Sequence, residues 1–131
     1  MSIGGVPTAV FWDIVDCKIH DDLNIVEVTQ NIKKTISEVG IDGTEVVSIR
    51  AYGEDDGKDH DFNSAGVTFT HSPAAARRAR HNQILVDVLA WAEENPPPAN
   101  LLLIMGDTTK EFENVILFLK SLNYRYLLAH P

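Results

Sequence analysis

The run "LLLIM" at residues 101–105 most constrains the fold of this chain. It contains consecutive apolar residues with no polar alternation, which is the pattern of a strand buried on both faces. Such a strand lies inside a parallel sheet, and helices must cover both sides of that sheet. The chain is therefore predicted to be an α/β protein in which strands alternate with helices.

The predicted elements follow that alternation along the whole chain. The strands are expected at 8–13, 45–52, 66–71, 101–105 and 124–130, and the helices at 24–40, 73–94 and 108–122. Asn24 with Glu27, and Thr108 with Glu111, have the spacing of N-terminal capping pairs, while Ser72 before Pro73 is typical of a helix start. The order βαβ(α)βαβαβ predicts a three-layer α/β/α sandwich with a mostly parallel sheet and right-handed crossovers.

Length and composition indicate one domain over 1–131, since 131 residues with 44% hydrophobic residues suffice for a single core. A domain cut from a longer protein is equally compatible with this length.

The net charge of -8 argues against binding nucleic acid by overall charge, so any phosphate contact must be local or mediated by cations. The single cysteine, Cys17, excludes an internal disulfide. Because no apolar stretch approaches about 20 residues and no secretory signal is evident, we expect an intracellular protein with no membrane partner.

Two carboxylates follow the ends of predicted strands. Asp13 closes the first strand, and Asp107 follows the fourth. In open α/β sheets, binding sites form at the carboxyl ends of strands where the strand order reverses. With the order 3-2-1-4-5 these two strands are neighbours, about 5 Å apart. Carboxylates this close repel each other unless a cation lies between them, which predicts a Mg²⁺ or Mn²⁺ ion.

The helix predicted at 73–94 adds a third carboxylate and two cations. Asp87 interrupts the apolar "ILVDVLAWA" and lies on one stripe with Arg80, about 10 Å away. Arg80, together with Arg77, is the candidate phosphate-binding group. Basic side chains early in a helix oppose its dipole, so helix stability does not explain them.

Each of these carboxylates also has a purely structural interpretation. Asp13 can be a turn former, Asp107 can favour the positive end of the next helix, and Asp87 can belong to a solvated stripe. Glu111 can simply be the capping partner of Thr108. The His and Asp clusters at 20–22 and 59–61 are interpreted as loop polarity, because adjacent residues seldom converge on one ion.

Three motifs in this order, "VFWDIVDC" at 10–17, "ILVDVLAWA" at 84–92 and "LLLIMGD" at 101–107, resemble the NYN domain, a PIN-like metal-dependent ribonuclease fold. They are most similar to the branch of the meiosis regulator and mRNA stability factor and of related plant proteins. The resemblance covers nearly the whole chain. It implies that Asp13, Asp87 and Asp107 hold Mg²⁺ or Mn²⁺ and hydrolyse phosphodiester bonds of single-stranded RNA, with endonucleolytic cleavage expected.

Two positions depart from the family pattern. Asp16 stands where the family commonly has Asn, and Thr109 stands where many members have a second Asp. Asp16 or Glu111 is therefore expected to complete the metal shell, while Arg77 and Arg80 hold the RNA backbone. The alternative is a catalytically weak or inactive NYN domain that binds RNA or a protein partner. The oligomeric state stays open, with a dimer among the alternatives.

Two other classes of protein fit the pattern less well. A phosphoacceptor receiver domain needs an Asp at the end of the third strand and a Lys at the end of the fifth, where this chain has His71 and "LLAHP". A nucleotide-binding domain needs a glycine-rich loop after the first strand, and "DIVDCKIH" contains no glycine.

Overall fold

A computed structural model of the chain describes residues 7–19, 24–38, 47–54, 59–73, 75–106 and 108–129. Strands and helices alternate along these residues. In chain order they are β1 (Thr8–Asp13), α1 (Ile25–Glu38), β2 (Val47–Gly53), α2 (Asp59–Ser64), β3 (Val67–His71), α3 (Arg77–Glu94), β4 (Ala99–Ile104), α4 (Lys110–Ser121) and β5 (Tyr124–Ala129). Within the residues described, no helix combines the length and the apolar character that a membrane span requires.

The five strands form one parallel sheet in the order β3-β2-β1-β4-β5. This confirms the predicted strand order and the three-layer architecture. β1 lies at the centre, and its register places Asp13 beside Tyr52 at the end of β2. Because all strands run in one direction, their carboxyl ends meet at a single edge, which is called the carboxyl edge below.

Two hydrophobic cores cover the two faces of the sheet. The core under α3 and α4 includes Phe11, Leu103 and Ile84, while the core under α1 and α2 includes Trp12 and Leu102. Successive residues of a strand point to opposite faces. The run "LLLIM" is therefore buried on both faces, as its composition predicted, and the side chain of Asp13 lies on the same face as Phe11, toward α3.

The start of α3 differs from the prediction. The helix begins at Arg77 rather than at residue 73, and its N-cap residue Ala76 makes no side-chain capping bond. The backbone N–H of Ser72 instead donates to the carbonyl of Gly53, 2.6 Å away. Ser72 thus continues the pairing of β3 with β2 and does not cap the helix, which leaves Arg77 in the first turn.

The start of α4 is also shifted, by one residue. Thr109 is the N-cap, and its hydroxyl accepts a hydrogen bond from the N–H of Phe112 at 3.2 Å. The predicted capping pair of Thr108 and Glu111 is therefore wrong, because Glu111 is the second helical residue. The cap of α1 is confirmed, since the N–H of Glu27 donates to Asn24 Oδ1 at 2.9 Å. The predicted end of this helix at residue 40 lies outside the described residues. The short helix α2 corresponds to the bracketed helix in the predicted order of elements.

Candidate functional site

Asp13 is the last residue of β1. Its Oδ1 accepts hydrogen bonds from the backbone N–H groups of Val15 at 3.0 Å and Asp16 at 3.2 Å. The carbonyl of Asp13 accepts from the N–H of Cys17 at 2.9 Å. An aspartate that binds the backbone N–H groups following it stabilises a tight turn. The strand therefore ends on a carboxylate because that carboxylate closes the turn, as the structural interpretation of Asp13 proposed.

The same carboxylate forms a buried ion pair with α3. Arg80 Nε donates to Asp13 Oδ1 at 2.9 Å, and the side chains of both residues are 0% exposed. His81 Nε2 lies 2.8 Å from Asp13 Oδ2. A buried charge is tolerated when it is paired and hydrogen-bonded. Asp13 meets both conditions, and the pair joins the end of the central strand to the first turns of α3.

Asp16 extends this arrangement toward the surface. Its Oδ2 accepts from Arg77 Nε at 2.9 Å, and its Oδ1 lies 3.6 Å from Arg80 Nη2. Gly106, just beyond β4, makes room for it, because a Cβ atom there would lie 2.7 Å from Asp16 Oδ2. We call Asp13, Asp16, Arg77, Arg80 and His81 the carboxylate centre. In it, two carboxylates face two guanidinium groups, so its formal charges balance without a contribution from His81.

The pKa values near the centre follow from burial and from these contacts. Burial alone would raise the pKa of Asp13, but the hydrogen bonds from His81 and the backbone, together with the charge and hydrogen bond of Arg80, lower it to about 2. Burial, with the negative charges of Asp13 and Asp16, raises the pKa of Cys17 to about 11. Cys17 is therefore a neutral thiol at pH 7.

The lowered pKa of Asp13 predicts a loss of stability in acid. A carboxyl group whose pKa falls from 3.8 to about 2 on folding stabilises the protein above pH 4. That stabilisation, about 2 kcal/mol, should disappear as the pH falls from about 4 to 2. Urea unfolding at several pH values measures it. The slope of unfolding free energy against pH in this window should be shallower in Asp13→Asn, and an unchanged slope would contradict the prediction.

The structure brings together only some of the residues that the sequence singled out. Asp13, Asp16, Arg77 and Arg80 meet in the carboxylate centre. Asp87 is instead tied to β2 and to its own helix, because its oxygens accept from the Tyr52 hydroxyl at 2.7 Å and from Gln83 Nε2 at 2.9 Å. Burial raises the pKa of Tyr52, and its hydrogen bond with Asp87 raises it further.

The two remaining predicted ligands are not part of the described centre. Glu111 is exposed on α4, and Asp107 lies outside the described residues. The metal roles of Asp87, Asp107 and Glu111 stay predictions.

His81 was not among the candidate site residues predicted from the sequence. Its ring is buried on the sheet side of α3 and lies 6.3 Å from the ring of Phe112. A signal was present in the sequence, since His81 precedes Ile84 and Val88 by three and seven residues and so continues their apolar stripe. A titratable residue on the buried stripe of a helix is a candidate for a specific partner, which here is Asp13.

Asp13, Asp16 and His81 form the group of described residues whose potential metal-ligating atoms all lie within 4.8 Å of one another. Such a group has the chemistry to bind a divalent metal. As arranged here, however, Asp13 Oδ1 accepts from three N–H groups, and Asp13 Oδ2 is in contact with His81. A divalent ion would add two charges to a network whose formal charges already balance. In this arrangement the centre therefore has no net negative charge for a resident divalent ion to neutralise.

Comparison with known proteins places the chain in a family. The family model of the NYN domain matches residues 7–130. The chain is 24% identical over 120 residues to "Meiosis regulator and mRNA stability factor 1" of Gallus gallus, and 23% identical over 120 residues to the protein of that name from Xenopus tropicalis. Each alignment covers 92% of this chain and 7% of the relative. The chain thus spans a small part of these relatives' length.

Proposed function

Because the chain belongs to the NYN domain family, we propose that it is an RNA-directed domain that binds RNA at the carboxyl edge without metal-dependent cleavage. The observation that carries this proposal is the buried ion pair of Asp13 with Arg80. The family is nuclease-like, and a metal-dependent nuclease needs carboxylates that are available to a cation. In this chain the central carboxylate is already neutralised by α3.

Exposed cations support RNA as the ligand. Arg77, Arg78 and Lys110 lie in the first turns of α3 and α4, and their side chains are exposed. Both helices begin at the carboxyl edge, and helix N-termini favour phosphate groups. A local cationic surface of this kind suits a chain whose net charge is -8, since binding by overall charge is unfavourable. The relatives are named for a role in mRNA stability, which also supports RNA as the ligand.

The proposal assigns phosphate contacts to Arg77 and Arg78 rather than to Arg80. The Arg80 side chain is fully buried, and its Nη1 donates to the carbonyl of Pro73 at 3.3 Å. Arg77 is 46% exposed even though it is paired with Asp16. An RNA phosphate can reach Arg77 without moving α3, whereas reaching Arg80 would require the ion pair to open.

A second candidate function is metal-dependent hydrolysis of single-stranded RNA by Mg²⁺ or Mn²⁺. The clustering of Asp13, Asp16 and His81 within 4.8 Å favours it. This function would require Arg80 to leave Asp13 so that an ion could enter. Asp87 and Asp107 would remain proposed participants in that case.

Binding and cleavage of a short, fluorescently labelled single-stranded RNA distinguish the two candidates. We expect equal binding by anisotropy in EDTA and in Mn²⁺, and intact RNA on a denaturing gel in both. The variant Arg78→Gln/Lys110→Gln should bind more weakly, with a salt slope reduced by about 1 for each lost phosphate contact.

The matched control is Lys33→Gln/Lys34→Gln, which removes two exposed cations from α1 and should bind normally. Equal weakening by both double variants, or no RNA binding at all, would refute the proposal. Cleavage that requires Mn²⁺ and is lost in Asp16→Asn would favour the second candidate.

A further inference from the structure

Arg80 contacts both carboxylates of the centre. Its Nε lies 2.9 Å from Asp13 Oδ1, and its Nη2 lies 3.6 Å from Asp16 Oδ1. Two carboxylates this close repel each other unless a positive charge separates them. The guanidinium group supplies that charge from within the chain.

The position of Arg80 makes this cation difficult to replace. The side chain belongs to α3, which packs on the sheet, so the guanidinium is held at its partners at a high effective concentration. Releasing it would leave buried charges on both sides without compensation, which is strongly unfavourable. A divalent ion from solution must compete with this arrangement.

We infer that the Arg80 guanidinium is the resident cation of the carboxylate centre, and that removing its charge converts Asp13, Asp16 and His81 into a divalent-metal site. The inference rests on one premise of the proposed function, which is that the carboxylate centre is an internal ion pair. It concerns metal binding, so it is tested without RNA.

The remaining atoms suit a metal once Arg80 is gone. With Arg80 replaced by Met, Asp13 and Asp16 carry two negative charges against the one positive charge of Arg77. Asp13 Oδ2 and His81 Nε2 are 2.8 Å apart, and adjacent ligands of one ion at about 2.1 Å lie about 3 Å from each other. Asp16 Oδ2 lies 3.6 Å from the same nitrogen. The two carboxylates suit Mn²⁺, and the imidazole nitrogen supplies a third ligand atom.

The experiment measures Mn²⁺ binding and thermal unfolding of the wild type and of Arg80→Met. Free Mn²⁺ is followed by its electron paramagnetic resonance signal, and unfolding by circular dichroism in MnCl₂ or EDTA. The wild type should show the same Tm in both. Arg80→Met should unfold at a lower temperature in EDTA, bind one Mn²⁺, and gain about 8 °C in Tm when Mn²⁺ is at 100 times its Kd.

Two control variants isolate the centre. Lys34→Met removes an exposed cation from α1, away from the centre, and should show the wild-type Tm in both MnCl₂ and EDTA. Asp13→Asn/Arg80→Met removes both charges of the pair and should neither bind Mn²⁺ nor gain stability from it. Mn²⁺ binding by the wild type that is lost in Asp16→Asn would overturn the inference. So would an Arg80→Met variant that stays unfolded at saturating Mn²⁺ or folds without binding it.

Discussion

Replacing Asp13 by Asn is expected to lower the free energy of unfolding by about 3–5 kcal/mol. The amide keeps the shape of the side chain and can still accept from the N–H groups of Val15 and Asp16. It removes the charge that compensates Arg80, whose side chain is 0% exposed. A buried guanidinium without its counter-charge is much more costly than a lost hydrogen bond. Urea unfolding followed by the fluorescence of Trp12 and Trp91 measures the change.

The matched control for this variant is Asp87→Asn. Asp87 is also an aspartate with two side-chain partners, but those partners are the neutral groups of Tyr52 and Gln83. An amide oxygen can still accept from the Tyr52 hydroxyl, so the expected loss is about 1 kcal/mol. Equal losses in the two variants would show that the ion pair with Arg80 has no special weight. A loss below about 1 kcal/mol in Asp13→Asn would contradict the assignment of a buried, compensated charge.

The second large effect is expected in the core strand β4. Leu103→Ala should lower the free energy of unfolding by about 2–5 kcal/mol, because it removes buried methyl groups and leaves a cavity. Leu103 is 1% exposed in the core under α3 and α4, and its strand pairs with both β1 and β5. The surrounding elements are therefore held in place and cannot fully close the cavity. Chemical denaturation with an unchanged m-value is the appropriate measurement.

Leu117→Ala makes the same chemical change on the surface of α4. Leu117 is 56% exposed, so its truncation should alter the free energy of unfolding by no more than about 0.5 kcal/mol. The difference between the two leucine variants isolates the contribution of burial. A loss as large as that of Leu103→Ala would mean that Leu117 is buried in solution and that the face of α4 carrying it is not exposed to solvent.

The two roles of Asp13 bear on the proposed absence of metal-dependent cleavage. The carboxylate closes the turn after β1 through backbone N–H groups and anchors α3 through Arg80. Both roles use oxygens that a metal ion would need. A carboxylate engaged in this way contributes to folding stability, and its availability for catalysis decreases accordingly. The centre is thus understood as a structural ion pair located where the fold forms its sites.

Local sequence patterns were sufficient for most of the architecture. The absence of polar alternation in "LLLIM" predicted a strand buried on both faces, and the alternation of strands and helices predicted a parallel sheet with Asp13 at its carboxyl edge. These features depend on neighbouring residues, so they can be recognised along the chain. The errors occurred at helix starts: Ser72 continues the pairing of β3 with β2, and Thr109 rather than Thr108 caps α4.

The composition of the carboxylate centre was decided by tertiary structure. The sequence identified Asp13 as a candidate metal ligand and Arg80 as a candidate RNA ligand, and it gave no indication that the two side chains contact each other. Their contact joins residues 67 positions apart, and it depends on how the apolar side of α3 packs over β1. That packing buries Arg80 and His81 against the end of the central strand. A buried charge needs an opposite charge close to it in the protein. Which residue supplies that opposite charge depends on how the chain folds.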